Sequence, residues 1–312
     1  MELSILIPAA NEMFLAKTVE DILEHIEADT EILVGLDGAW ADPPIKDHPR
    51  VKIFHSSVSL GQRAMTNQLA RLSKAKYVMK VDAHCAFDQG FDRKMIEFFK
   101  EVGEDVVAAP VMRNLHAFDW VCPDGHRRYQ SPSGVCKECG KETTRDVVWI
   151  PKTRPESTSY CFDATPHFQY FREYTRTPEY KEMRDKYGYT ESMSLQGSFF
   201  MCTRHRYWKW ELNDERLGNW GNQGIELACA MWLLGGRVLI NHKTWYAHLF
   251  RTQGGDFSFP WKAKDKDINS TKDAVVDKYW NMKHPRQIHP VSWLVKKFNP
   301  PGWTKEQIDA LK

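Results

Sequence analysis

Residues 76–85 read KYVMKVDAHC. An apolar run from Tyr77 to Val81 ends in a charged turn, with Asp82 and His84 two positions apart. On extended backbone, side chains at i and i+2 leave the same face, so this carboxylate and imidazole can hold one divalent cation between them. The carboxyl end of a mid-domain strand is also where an open α/β sheet places its ligand crevice. The same residues suit an ordinary strand end with an exposed Asp and a chance His, so the surrounding pattern has to decide.

That pattern alternates. LSILIPA (3–9) is an apolar strand and LAKTVEDILEHIE (15–27) has helical spacing. EILVGLDG (31–38) is a strand closing on the turn pair Asp37-Gly38, and VKIFHS (51–56) is a short strand. GQRAMTNQLARLSKA (61–75) is an amphipathic helix, RKMIEFFKEV (93–102) is helical and DVVAAPVMR (105–113) is a strand. Strand and helix alternating at these spacings predict an α/β fold, Rossmann-like, with a mostly parallel doubly wound sheet. Glu12, Asp37 and Asp82 then all fall on the crevice side.

Regularity stops near residue 118. Residues 118–160 are rich in Cys, Pro, Gly and charge and read as an insertion, and 168–187 is a polar, helix-like stretch. Residues 190–251 are apolar and Trp-rich again. The expected organisation is one domain over 1–254, including a zinc-binding insertion at 118–150, and a basic, aromatic C-terminal extension over 255–312. Between Lys278 and Trp303 that extension has five Lys or Arg, no acidic residue, and aromatics at Tyr279, Trp280, Trp293, Phe298 and Trp303.

Composition narrows the classes. The 312 residues are 42% hydrophobic, enough for a full core, and the net charge of +2 names no polyanionic partner. The longest apolar candidate, near Ile225 to Ile240, is interrupted by Glu226 and Arg237, so no membrane span is expected. MELSILIPAANE reads as a strand rather than a signal peptide. The seven Cys are an odd number, which points to a reducing, cytoplasmic compartment (host cytoplasm for a viral chain) and a metal site rather than a disulfide scaffold.

The metal site is spelled by Cys122-Pro-Asp-Gly-His126 and, nine residues later, Cys136-Lys-Glu-Cys139-Gly. Two short chelating pairs separated by a loop match a closed Cys₃His tetrahedron for a structural Zn2+, with Gly125, Gly134 and Gly140 supplying turns. The alternative is a set of unliganded thiols. Cys85, Cys161, Cys202 and Cys229 read as buried small hydrophobes.

With these pieces in place, the chain resembles a nucleotide-sugar glycosyltransferase of the GT-A fold and broad family-2 type. Its second half resembles the polypeptide N-acetylgalactosaminyltransferases. LSILIPAANE is similar to the family's first strand and Pro-x-x-Asn-Glu turn, ILVGLDGA to its second strand, and LGQRAMTNQLARLSKAKYVMKVDAH to the helix and strand before the metal motif. That motif is Asp-x-His here, as in the N-acetylgalactosaminyltransferases, in place of Asp-x-Asp. LQGSFFMCTR, NWGNQGIELACAMWLLGG and WYAHLFR follow in that group's order, and the match covers roughly residues 2–117 and 190–251.

The resemblance implies a site. His248 would be the third ligand, beside Asp82 and His84, of a catalytic Mn2+ (or Mg2+); the alternative for His248 is a satisfied core histidine. Two imidazoles favour Mn over Mg. The ion would act as Lewis acid on the diphosphate of a nucleotide-sugar donor, UDP-linked by resemblance. Asp37 and Arg63 would meet the base, Pro8, Ala9 and Glu12 would line the same pocket, Gly197 and Trp220 would lie on the donor, and Arg251 would pair a phosphate.

Inverting family-2 enzymes place an Asp base in a Glu-Asp-x-Asp-Leu loop; here the run is Gln223-Gly224-Ile225-Glu226-Leu227. Glycine cannot abstract a proton, so retention of configuration is the expectation, with Gln223, Glu226, Asp214 and Glu215 as catalytic candidates. Glu226 equally suits a structural role at a helix start. The acceptor stays open between a glycan or lipid-linked sugar and hydroxymethylated bases of viral DNA. The DNA reading leans on the basic, aromatic tail, whose aromatics would stack on exposed bases; the alternative is that the tail packs on the domain. A reading of another class is an inactive sugar- or nucleic-acid-binding module on this fold.

Overall fold

A computed structural model describes residues 1–251 and 265–311. The expected boundary at 254/255 and the Gly-, Lys- and Asp-rich linker after it lie outside the described residues. The chain runs β1 (Leu3–Ala9), α1 (Leu15–His25), β2 (Thr30–Asp37), β3 (Val51–Ser56), α2 (Gln62–Leu72), β4 (Tyr77–Val81), β5 (Cys85–Phe87) and α3 (Phe91–Val102). It continues through β6 (Val106–Val121), β7 (Arg127–Tyr129), β8 (Thr144–Pro151), β9 (Tyr160–Phe162), β10 (Phe168–Tyr170), α4 (Pro178–Tyr187), β11 (Tyr189–Glu191), β12 (Phe199–Thr203) and α5 (Arg204–Lys209). Then follow α6 (Gln223–Leu233), β13 (Arg237–His248), α7 (Asp265–Val275), α8 (Val291–Phe298) and α9 (Lys305–Asp309).

The first half forms as its periodicity predicts. β1, β2 and β4 are apolar and buried, because helices cover both of their faces. α2 lies so close on β2 that a Cβ at Gly35 would stand 2.4 Å from Met65 Sδ. β3, β2, β1 and β4 pair in parallel. The sheet is nevertheless mixed rather than mostly parallel. β12 inserts antiparallel between β4 and β6, and β11 pairs antiparallel with β13. Beyond β12, β13 returns parallel to β6.

The break expected at residue 118 falls inside a strand. β6 runs sixteen residues, and its distal half carries β7 and β8 on its two edges as a small antiparallel extension. The stretch 168–187 is helical only in its second half: it begins as β10, which pairs with β9.

The C-terminal segment packs into the core, the second of the two roles open to it from the sequence. Tyr279, Leu294, Val295 and Phe298 are buried with α6, whose eleven residues are all buried. Trp280 is 7% exposed and stacks on Trp303, whose indole N–H donates to the Phe162 carbonyl. The cations are partnered too: Lys278 reaches Asp214 at 2.7 Å and Lys297 reaches Glu191 at 2.8 Å. Among the described residues no helix is long and apolar enough to cross a membrane.

Candidate active site

β4 ends at Val81, and the chain turns so that Asp82 and His84 leave it together. β5 follows and pairs antiparallel with the end of β13, setting Cys85 opposite His248. The Leu249 N–H donates to the His84 carbonyl at 3.1 Å, which closes the strand ends on each other. Three side chains therefore converge. His84 Nε2 and His248 Nε2 are 3.1 Å apart, Asp82 Oδ2 is 3.3 Å from His248 Nε2, and Asp82 Oδ2 is 3.8 Å from His84 Nε2.

Donor atoms about 2.1 Å from a shared ion are separated by about 3.0–3.5 Å at octahedral to tetrahedral angles. The triad edges fall at or within a few tenths of that range. Glu12 stands behind His84, its carboxylate 3.3 Å from Nδ1 and also paired with Arg251. A carboxylate on the far nitrogen is what orients a ligating imidazole. Burial lowers His248 to about 4, so it is neutral, as a ligand must be. Burial alone would raise the Asp82 carboxyl, but Lys80, His248 and His84 outweigh it and hold Asp82 well below the usual carboxylate range. The residues present fit a divalent cation.

Lys80 is the residue that sequence reasoning missed. It is fully buried, and its ammonium bonds Asp82 Oδ1 and the Gly197 carbonyl, the latter at 2.7 Å. The only local signal is a lysine inside an otherwise apolar strand, Tyr77-Val-Met-Lys-Val81.

Other expected residues are placed differently. Glu12 serves His84 and Arg251 rather than simply lining a pocket beside Pro8 and Ala9. Asp37 accepts from the Leu60 and Gly61 N–H groups at 2.5 and 3.0 Å and from Ser59 Oγ, so it shapes the turn before α2. Arg63, expected at the base, is 1% exposed. Its guanidinium donates to Glu226 at 2.8 Å and to the Gly218 and Gly221 carbonyls. These bonds turn its donors into the protein.

The base candidates are also held by structure. Glu226 is fully buried and accepts from Arg63 and from the Asp214 N–H. Burial pushes its carboxyl up against the pull of Arg63. Asp214 caps the turn at Arg216 and binds Lys278. Glu215 is bonded by Asn67 at 2.7 Å. Gln223 donates to Asn213 at 2.8 Å and faces Gly197. Trp220 accepts from Thr271 through its carbonyl. At Gly224 a Cβ would stand 1.9 Å from the Leu195 carbonyl oxygen, so the position where the loop pattern expects an Asp admits no side chain.

The family profile described as glycosyl transferase family 2 matches residues 4–138. Over those residues the chain is similar to the family 2 glycosyltransferases. Asp82 and His84 lie inside the matched residues and His248 outside them. A Drosophila melanogaster protein assigned by name to the polypeptide N-acetylgalactosaminyltransferases (number 13) is 22% identical over 309 residues, covering 93% of this chain and 48% of that protein. The chain thus spans about half the length of that curated relative. Among solved structures, GalNAc-T7 with UDP, GalNAc and Mn2+ superposes with a TM-score of 0.66 at 16% identity, covering 99% of this chain and 56% of that one. Residues 1–349 of Staphylococcus aureus TarS in complex with UDP-GlcNAc give 0.55 at 10% identity, covering 96% and 72%. These likenesses establish a GT-A-like α/β fold with a mixed sheet.

Proposed function

We propose that this protein transfers a sugar from a UDP-sugar to a hydroxyl acceptor, with Mn2+ held by Asp82, His84 and His248. The observation that carries the reading is the convergence of those three donor atoms, backed by the Glu12 carboxylate on the far side of His84. When bound there, the ion supplies Lewis-acid neutralisation of a leaving diphosphate. UDP as the donor's nucleotide is supported by the ligands of the two superposable structures. The convergence also speaks against an inactive binding module.

The chain's residues perform the remaining work. Glu12 fixes the His84 ring, and Lys80 holds Asp82 as a carboxylate while tying it to the loop at Gly197. The closed packing at Gly224 leaves no room for a carboxylate base, which supports transfer with retention. The acceptor class is a hydroxyl on a glycan, a lipid-linked sugar or a hydroxymethylated base of DNA. With Tyr279, Trp280 and Phe298 buried, the DNA option loses those three rings as a stacking surface.

The test is mass spectrometry of an acceptor panel incubated with a set of nucleotide sugars, alongside donor hydrolysis. Chelation should abolish turnover and Mn2+ restore it. Full turnover of the Asp82→Asn, His248→Ala double variant in EDTA would overturn the assignment of the ion.

A further inference from the structure

The glycosyltransferase reading makes no use of the extension at the far end of β6. β6 ends at Val121, and Cys122 follows at once. The chain turns there, the Gly125 N–H donating to the Cys122 carbonyl at 2.9 Å, and His126 stands immediately before β7. A second turn, longer by one residue, precedes β8: the Gly140 N–H donates to the Cys136 carbonyl at 2.9 Å. Gly125 has φ 84° and Gly140 has φ 70°, conformations that favour glycine.

The two turns face each other. Cys122 Sγ is 3.5 Å from His126 Nδ1, Cys136 Sγ is 3.6 Å from the same nitrogen, and Cys139 Sγ is 3.6 Å from Cys122 Sγ. All four donor atoms lie within 4.8 Å of one another. Sulfur about 2.3 Å and nitrogen about 2.0 Å from a zinc ion give tetrahedral edges of about 3.8 Å for S···S and about 3.5 Å for S···N. A disulfide would bring two sulfurs to about 2.05 Å, far inside the observed separation. The other nitrogen of His126 lies 3.5 Å from the Glu138 carboxylate, an orienting partner outside the four donors.

We propose that Cys122, His126, Cys136 and Cys139 bind one Zn2+, and that this ion fastens the tip of the β6–β8 extension. Four protein donors close the tetrahedron and leave no open position, so the role is structural. The packing along the extension shows what the ion supports. Phe118 and Trp120 share a small buried cluster with Phe14, Ala247 and Leu249. Phe14 follows Glu12 by two residues, and Ala247 and Leu249 flank His248. Zinc at the tip thereby keeps the sheet beneath the triad in register. The proposal goes beyond the transferase reading and does not depend on it.

The full chain, purified without chelator, should carry about one zinc by elemental analysis, as a closed four-ligand site predicts. The Asp82→Asn, His248→Ala variant should keep that zinc, and Cys139→Ser should lose most of it. Replacing zinc with Co2+ in the wild-type chain should give the strong visible bands and near-ultraviolet thiolate charge transfer of a tetrahedral sulfur site. This reading needs no variant, so it stands if Cys139→Ser fails to fold. Alkylation followed by mass spectrometry should find Cys122, Cys136 and Cys139 protected until chelator is added. Absence of zinc, loss of zinc in the Asp82/His248 variant instead, an octahedral cobalt spectrum, or equal alkylation with and without chelator would each overturn the proposal.

Discussion

Replacing Glu226 with Ala separates a catalytic base from a structural anchor. Glu226 is fully buried, its partner Arg63 is 1% exposed, and their contact is 2.8 Å. Removing the carboxylate leaves a buried guanidinium with only the Gly218 and Gly221 carbonyls, and strips the Asp214 N–H of its acceptor. Breaking a buried pair from one side costs about 3–5 kcal/mol, because the remaining charge is uncompensated. At ~2–3 °C per kcal/mol for a chain of this size, the melting temperature should fall by roughly 6–15 °C. Differential scanning fluorimetry reads that fall, and donor hydrolysis measured well below the transition reads function. The second arm is Arg63→Met with Glu226→Leu. An apolar pair of similar volume should recover more than half of the lost stability, and turnover with it. A base cannot be replaced by leucine. Unchanged melting of Glu226→Ala with abolished turnover, or a stable but inactive double variant, would refute the structural assignment.

Lys80→Met should weaken Mn2+ binding in titrations followed by electron paramagnetic resonance, because Asp82 loses the ammonium that orients it and the link to Gly197; unaltered binding would remove Lys80 from the site. Trp280→Ala should cost about 3–5 kcal/mol of stability by opening the packed C-terminal core, and leave the salt dependence of any nucleic-acid binding unchanged; a shallower salt slope with intact melting would restore the tail as a binding surface. His242 is partly buried against Thr190 and Tyr180, and desolvation lowers it to about 4. Its folded pKa lies below the ordinary value near 6.5, so the unfolded chain binds the extra proton first and stability falls as pH drops from about 6.5 to about 4. His242→Gln should flatten that part of the stability profile, by up to about 3 kcal/mol in denaturant titrations; an identical profile would show that His242 does not contribute to it.

What the residues determined by themselves is local. The apolar runs at 3–9, 31–38 and 77–81 read as strands because burial on both faces leaves no polar alternation, and the structure follows them closely. The Asp-x-His turn and the two Cys/His turns are legible because their geometry is set within a few residues. His248, as a third candidate ligand, was legible only through the family resemblance: it lies 164 residues from His84, and no local period connects them. Tertiary structure alone decided the rest. The antiparallel insertion of β12 reflects which strand fits between β4 and β6, a choice that periodicity does not encode. Arg63 was named through the resemblance and Glu226 through the loop pattern, with a structural role left open for the latter; that the two pair in the interior, 163 residues apart, is visible only in the fold. The tail aromatics suit either a base or a core, and only the fold shows Tyr279, Trp280 and Phe298 buried in the cluster that holds α6.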